Sequence, residues 1–504
     1  MSGYEDAPHR WSLGEQSEAI TSGAITPLEL VEASLAQIER FDDDLHAYLG
    51  VDAERALDAA RAATWALASG RSLGALHGIP FGVKDQLAVA GLPTTLGSRA
   101  SDPTPASRDA TVVARLRAAG AILLGTHAMH ELGKGGATDF PFGQPRNPWD
   151  LTRSPGGSSS GSGIAPAAGM GSFAIGEDTG GSVRSPAAAN GLTGLRPTFG
   201  RVSRHGGVCF GWNADTFGPI AHRAADAETV LRVIAGHDPA DPLTTRRPLA
   251  SAPGDPERDG LRGVRIGIVQ EMTWPAGAQL GDDVTGATDA VVACLRELGA
   301  TLEVVSIPSV RHAVTLTQAT TDVDVASEAL TRWLRPSWGS VDRGVRTRLA
   351  AALLVPTPLY ARAMRARVVV REHVLRTFGR FDALLTLGAV GSAPPIEASR
   401  ERITSADDVA RLVSARRITS HPFSVANVPA LVMPMGFDAE GLPLSVQLAA
   451  APYDEAMVFR IARAYQAVTT WHARRPALEQ SVGAWRAGRA ASAPAAPAPE
   501  GTET

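Results

Sequence analysis

The residue types best suited to chemistry gather in one stretch, residues 154–207, dense in glycine and serine. Apolar residues, Asp178 and Arg184 interrupt it, so it reads as a segment with defined tertiary contacts and not as a linker. Two serine-bearing glycine loops stand in it, Gly156-Gly157-Ser158 and Gly180-Gly181-Ser182. Glycine admits positive φ and lets successive N–H groups converge on one point, as an anion or oxyanion site requires. The same loops read equally as tight turns in a packed core.

Three local motifs compete for this region. Gly157-Ser158-Ser159-Ser160-Gly161 has the spacing of a nucleophile elbow, which needs an apolar strand just before it. The preceding RNPWDLTRSP is turn-like, so the elbow is rejected. A Walker-type phosphate loop needs Gly-Lys followed by Ser or Thr, and Gly133-Lys134 is followed by Gly135. The S-x-x-K arrangement fails at both lysines, with Phe81 and Glu131 at the serine position.

Those two lysines carry information of their own. Of 48 basic residues only Lys84 and Lys134 are lysine, and the rest are arginine. Codon bias accounts for the bulk ratio. Arginine replaces lysine as a surface cation but does not give up its proton, so a retained lysine is a candidate base. A serine hydroxyl becomes a nucleophile when a neighbour takes its proton, and a neutral lysine in a buried site can do this.

These residues need elements to hold them. Thr26-Pro27-Leu28-Glu29 is a capping box with proline at the first helical position, and Leu28, Val31, Leu35 and Ile38 form an apolar stripe after it. Helices are further predicted over 52–69, closed by Gly70, over 109–119 and over 283–298, and a closing helix over 454–468. The N-terminal third reads as mainly helical. Strands are predicted at 121–124, 264–269, 301–305, 382–387, 430–435 and 444–448. Alternation of the two types predicts an α/β fold, a mixed central sheet with helices on both faces. Residues 238–260 read as a surface connection, residues 1–486 as a single domain, and 487–504 as a low-complexity, disordered tail.

Composition bounds the function. The chain has 504 residues, 44% hydrophobic and 20% charged, which is ample for a core. A net charge of −4 argues against a broad surface for nucleic acid or anionic lipid. Cys209 and Cys294 alone can build neither a disulfide framework nor a four-cysteine zinc site. No run approaches a membrane span and the N-terminus lacks a signal-peptide core, so a cytoplasmic location is expected.

The stretch Gly156 to Pro186, with D-T-G-G-S-V-R at 178–184, resembles the signature of the amidase signature family. So do Gly78-Ile79-Pro80-Phe81-Gly82-Val83-Lys84-Asp85 upstream, and GLRPTFGRVS, DTFGPIA and NVPALVMPMGFDAEGLPLSVQL downstream. The resemblance spans residues 20–475, weakly over 306–380, a variable region that would shape the substrate pocket. Ser160 stands where glycine is common, and Ile164 and Pro166 lie in the helix between the serine loops. The resemblance implies a Ser–cis-Ser–Lys triad with Ser182 as nucleophile, Ser158 as bridging serine and Lys84 as base. The family's separation of 24 residues between its two serines selects Ser158 over Ser159. It further implies that Lys84 lies within hydrogen-bond reach of Ser158, and Ser158 of Ser182. The N–H groups of Thr179, Gly180, Gly181 and Ser182 would form an oxyanion hole, with Asp178, Arg184 and Ser159 as structural support. No metal or organic cofactor is implied.

The activity so implied is hydrolysis of a small-molecule amide through an acyl-enzyme by a monomer or homodimer. A carbamate (urethane) or ester hydrolase with the same triad stays open. So does the glutamine-hydrolysing subunit of an amidotransferase complex, and, less well supported, a non-catalytic binding protein. A membrane-attached fatty-amide hydrolase is disfavoured by the lack of an apolar span before residue 20. Lys134 reads as a loop cation or a substrate contact, and Trp212 as a substrate-mouth residue or a packing one. His130, His205 and His222 lack metal-ligand spacing and read as structural or surface residues.

Overall fold

A computed structural model describes residues 7–136, 140–251, 254–329, 338–400, 405, 408 and 415–492. Its first long helix, Pro27–Leu45, begins as the local sequence dictates. Thr26 Oγ1 accepts from the Glu29 N–H while the Glu29 carboxylate accepts from the Thr26 N–H, so two orphan donors are satisfied at once. Val31, Ile38, Phe41 and Leu45 turn inward from it.

The helices pack against a sheet of eleven strands: β1 (Tyr48–Val51), β2 (Pro80–Lys84), β3 (Ile122–His127), β4 (Phe173–Asp178), β5 (Thr193–Arg196), β6 (Thr216–Ala221), β7 (Arg265–Val269), β8 (Thr301–Val305), β9 (Ala383–Leu387), β10 (Ala430–Phe437) and β11 (Pro443–Ala450). Their order is β1-β3-β2-β4-β6-β5-β10-β11-β9-β7-β8. The sheet is mixed: β2 runs parallel to both β3 and β4, and β7 parallel to β8 and β9, while the remaining pairings are antiparallel. This is the mixed α/β architecture expected from the alternation of elements.

One face of the central strands carries the bulky core, where Phe81 and Phe173 stack at 5.3 Å beside Val83, Ile175 and Phe217. The intervening positions are small, such as Gly82, Ala174 and Gly176. They let the helix Ser160–Ala167, which follows the first serine loop, press close to β2, β3 and β4. At Gly161 even a methyl group would collide with the Ala47 carbonyl oxygen. The glycines of this stretch are therefore close-packing residues as well as turn formers.

The N-terminal third is mainly helical as expected, with the short strands β1 and β2 added to the strand expected at 121–124. The structure departs from the sequence reading in two places. The strands β2, β4 and β6, buried at every position, go unpredicted because a strand covered on both faces shows no period of two. Residues 487–492 continue the helix Leu478–Ser492 instead of opening a tail there, and 493–504 lie outside the described residues. The weakly matching region 306–380 holds the helices Ala313–Glu328, Arg343–Leu353 and Thr357–Thr377.

Candidate active site

Lys84 ends β2, and Glu177 and Asp178 end the parallel neighbour β4, so all three reach the carboxyl edge of the sheet together. Ligand sites in α/β sheets form at this edge, where the loops leaving adjacent strands diverge. Here the diverging loops include both serine-glycine loops. They wall a cavity of about 740 Å³ lined by Ser158, Ser182, Thr179, Gly180 and Gly181 among others.

Lys84 is fully buried and its Nζ donates to Ser158 Oγ at 2.9 Å. Ser158 follows a cis peptide bond from Gly157. Ser159 points elsewhere: its hydroxyl donates to the Glu177 carbonyl and accepts from the Glu177 N–H, both at 3.2 Å. Ser182 lines the cavity and is partly accessible. Among the described residues no hydrogen bond joins Ser158 Oγ to Ser182 Oγ, so the second of the two expected contacts is not made in this state.

The backbone of the second loop is divided in its use. The Gly181 N–H donates to Asp178 Oδ1 at 2.8 Å, and Val183 N–H to Asp178 Oδ2 at 3.2 Å. Gly181 is thus spent on holding the loop and is removed from the four donors expected at an oxyanion hole. Among the described residues, the N–H groups of Thr179, Gly180 and Ser182 have no protein acceptor.

Asp178 is the hub of that loop. Arg184 Nε and Nη2 each donate to its carboxylate at 3.0 Å, and Arg196 Nη1 adds a bond at 3.2 Å. Burial by itself would raise this carboxyl, but the two guanidiniums and the N–H bonds hold it well below the usual carboxylate range. Arg184 also donates to Gln447 Oε1 at 2.7 Å and to the Ser420 carbonyl at 2.9 Å, tying the loop to β11 and to the helix His421–Ala426.

Three site residues escape the sequence reading. Glu177 is buried and its Oε2 lies 2.9 Å from Lys84 Nζ, a closed ion pair. The Thr179 hydroxyl sits between Glu177 Oε1 at 2.7 Å and Asp215 Oδ1 at 2.8 Å. One hydroxyl hydrogen cannot serve both oxygens, so completing both bonds needs a proton on one carboxyl. Burial, and after it the charge of Glu177, raises Asp215 to about 7, which favours Asp215 as the carboxyl that carries that proton. His421 packs on Gly180, and a Cβ there would stand 3.0 Å from its Nε2. The one local signal was a carboxylate at the end of the apolar run Phe173-Ala174-Ile175-Gly176-Glu177.

The remaining candidates fall as follows. His130 lines the cavity, where burial and the charge of Lys84 push it down to about 4, so it is neutral at ordinary pH. Lys134 also lines the cavity and pairs with Asp322 at 3.0 Å. His222 is structural, with Nε2 3.0 Å from the Pro166 carbonyl. His205 and Trp212 lie outside the cavity lining, and Trp212 is 67% exposed with the Arg204 guanidinium 5.3 Å from its ring. No group of three or more potential metal ligands occurs among the described residues.

The ion pair yields a direct expectation. Glu177→Gln keeps the shape and removes the anion opposite Lys84, so a buried charge-assisted bond is lost. Turnover is expected to fall by about 10-fold or more, with the fold kept by circular dichroism. A rate within about 2-fold of wild type would show that the pair does not position Lys84.

Comparisons with known proteins bear on this geometry. The family model described as Amidase matches residues 29–459. A glutamyl-tRNA(Gln) amidotransferase subunit from Chloroflexus aggregans is 37% identical, over 94% of this chain and 99% of its own. The native peptide amidase of Stenotrophomonas maltophilia superposes with a TM-score of 0.77 at 30% identity, covering 92% of this chain and 98% of its own. A structure from a vestigial protein complex tied to the origins of an s-triazine catabolic enzyme gives a TM-score of 0.82 at 32% identity, covering 90% and 98%.

Proposed function

The chain belongs to the amidase family and is a hydrolase of amide C–N bonds, and from that premise we propose that it works through Ser182, Ser158 and Lys84. The observation that carries this reading is the buried Lys84–Ser158 hydrogen bond of 2.9 Å beside the three N–H groups of the Ser182 loop that have no protein acceptor among the described residues. Ser182 Oγ attacks the carbonyl carbon while its proton passes to Ser158 Oγ, whose own proton passes to Lys84 Nζ once that amine has released the proton it holds in the pair with Glu177. The N–H groups of Thr179, Gly180 and Ser182 stabilise the oxyanion, each well-placed donor being worth about 3–4 kcal/mol. The C–N bond then breaks, and the proton returns through Ser158 to the leaving nitrogen. Water, activated by the same relay, cleaves the acyl ester on Ser182 and releases the carboxylic acid. The missing Ser158–Ser182 bond fits a resting site, since such contacts tighten when substrate closes the geometry.

A second reading has its own support. Identity of 37% to the amidotransferase protein over nearly the whole chain favours glutamine hydrolysis within a complex. The test is a panel of aliphatic amides, aryl amides, esters, carbamates and free glutamine, assayed with the isolated chain. Turnover of amides by the lone chain is the expected result. Release of ammonia from glutamine only when partner proteins are added would replace it with the second reading. Carbamates or esters cleaved in preference to amides would move the leaving group and keep the residues.

A further inference from the structure

The cavity beside Ser182 is unequal in charge. Four basic residues line it, Lys134, Arg348, Arg416 and Arg417, and among the described residues its lining contains no aspartate or glutamate. Asp322, the carboxylate set behind two of these cations, is occupied. It accepts from Arg348 Nε at 2.8 Å and Nη2 at 3.0 Å, and pairs with Lys134 Nζ at 3.0 Å. Arg417 differs from these two. Among the described residues its guanidinium has no hydrogen-bond or ion-pair partner, although the residue is partly buried at the cavity wall. Burial and the charge of Arg348 lower it only to about 10, so it is charged at neutral pH.

A guanidinium withdrawn from water without a counter-ion is costly, and a planar fork of N–H donors matches a carboxylate in two parallel bonds. The surplus of positive charge also raises the local concentration of anions. Resting on the amide hydrolysis proposed above, we infer that the substrate is an amide carrying a carboxylate, held by Arg417 with Arg348 beside it. The same lining speaks against an α-ammonium group on the substrate, because among the described residues it offers no free carboxylate to receive one. Glutamine, with both an α-carboxylate and an α-ammonium, fits this cavity less well than a monoamide of a simple dicarboxylic acid.

The experiment compares succinamate, glutaramate and adipamate with butyramide, pentanamide and hexanamide, and with glutamine, for wild type, Arg417→Gln and Arg417→Lys. Calorimetric binding of succinate, glutarate and adipate is measured on the same three proteins. At least one anionic monoamide should exceed its uncharged counterpart about 10-fold or more in kcat/KM. Arg417→Gln should erase that preference through KM, leave the uncharged amides unchanged and abolish dicarboxylate binding, while Arg417→Lys keeps part of it. Because Arg417 has no partner to lose among the described residues, an unchanged thermal midpoint identifies these as effects on the site. Equal rates for charged and uncharged amides, preference for glutamine, or dicarboxylate binding that is absent or indifferent to Arg417 overturns the inference. Dicarboxylate binding that depends on Arg417 without any amide turnover leaves the inference standing and removes the proposed reaction instead.

Discussion

Ser182→Ala is expected to lower kcat by on the order of 10⁶-fold, the scale of loss when a serine nucleophile is taken from a working triad. Lys84→Arg is expected to do nearly the same for a different reason. Arginine keeps the positive charge opposite Glu177 but is not deprotonated, so no base remains to receive the proton from Ser158. The planar guanidinium must also fit a fully buried site shaped for an ammonium. Steady-state rates on the best amide of the panel, with circular dichroism to verify the fold, check both. Turnover by either variant within 10-fold of wild type would remove the proposed roles. Partial activity in Ser158→Ala, with Ser182→Ala dead, would be consistent with a relay whose place water can take.

The second large effect is on stability. Asp178 is wholly buried with Arg184 and Arg196, and each arginine depends on its charge. Asp178→Ala leaves two buried guanidiniums facing each other, and losing one partner of such a network costs about 3–5 kcal/mol. The expected result is a large drop in the denaturation midpoint together with loss of activity, because the same carboxylate positions the loop bearing Ser182. The pH dependence has a fixed sign. A carboxyl held below its unfolded value contributes stability that is present above that unfolded value, near 3.8, and is lost as pH falls further. Wild type should therefore lose stability steeply in acid below about pH 4, and Asp178→Ala should show a shallower decline there. Equal acid slopes in the two proteins would exclude this account.

Much of the frame could be read from local sequence. The capping box at Thr26 and Glu29, the strand–helix–strand run of 264–305 and the paired strands near 430–450 all carry periodic or capping signals. The strands that hold the site do not. β2 and β4 are buried on both faces and mix glycine with large apolar residues, so neither alternation nor propensity marks them.

The site divides along the same line. Residue types and spacing by themselves singled out two serine-glycine loops, two scarce lysines and the charged residues Asp178 and Arg184 between apolar neighbours, because those features are local or compositional. Which N–H groups remain free was decided by tertiary structure, since Asp178 captures the one on Gly181. So was the partner of Lys84, because Glu177 reaches it only through the parallel pairing of β2 with β4. Arg196 joins the site from β5, and Asp215, Arg417 and His421 from segments farther along the chain, brought in by the sheet and the helices at its edge. A sequence determines what its residues can do, but charge balance, burial and the loss of a donor to a neighbour depend on which groups stand within hydrogen-bond reach. Only the fold settles that.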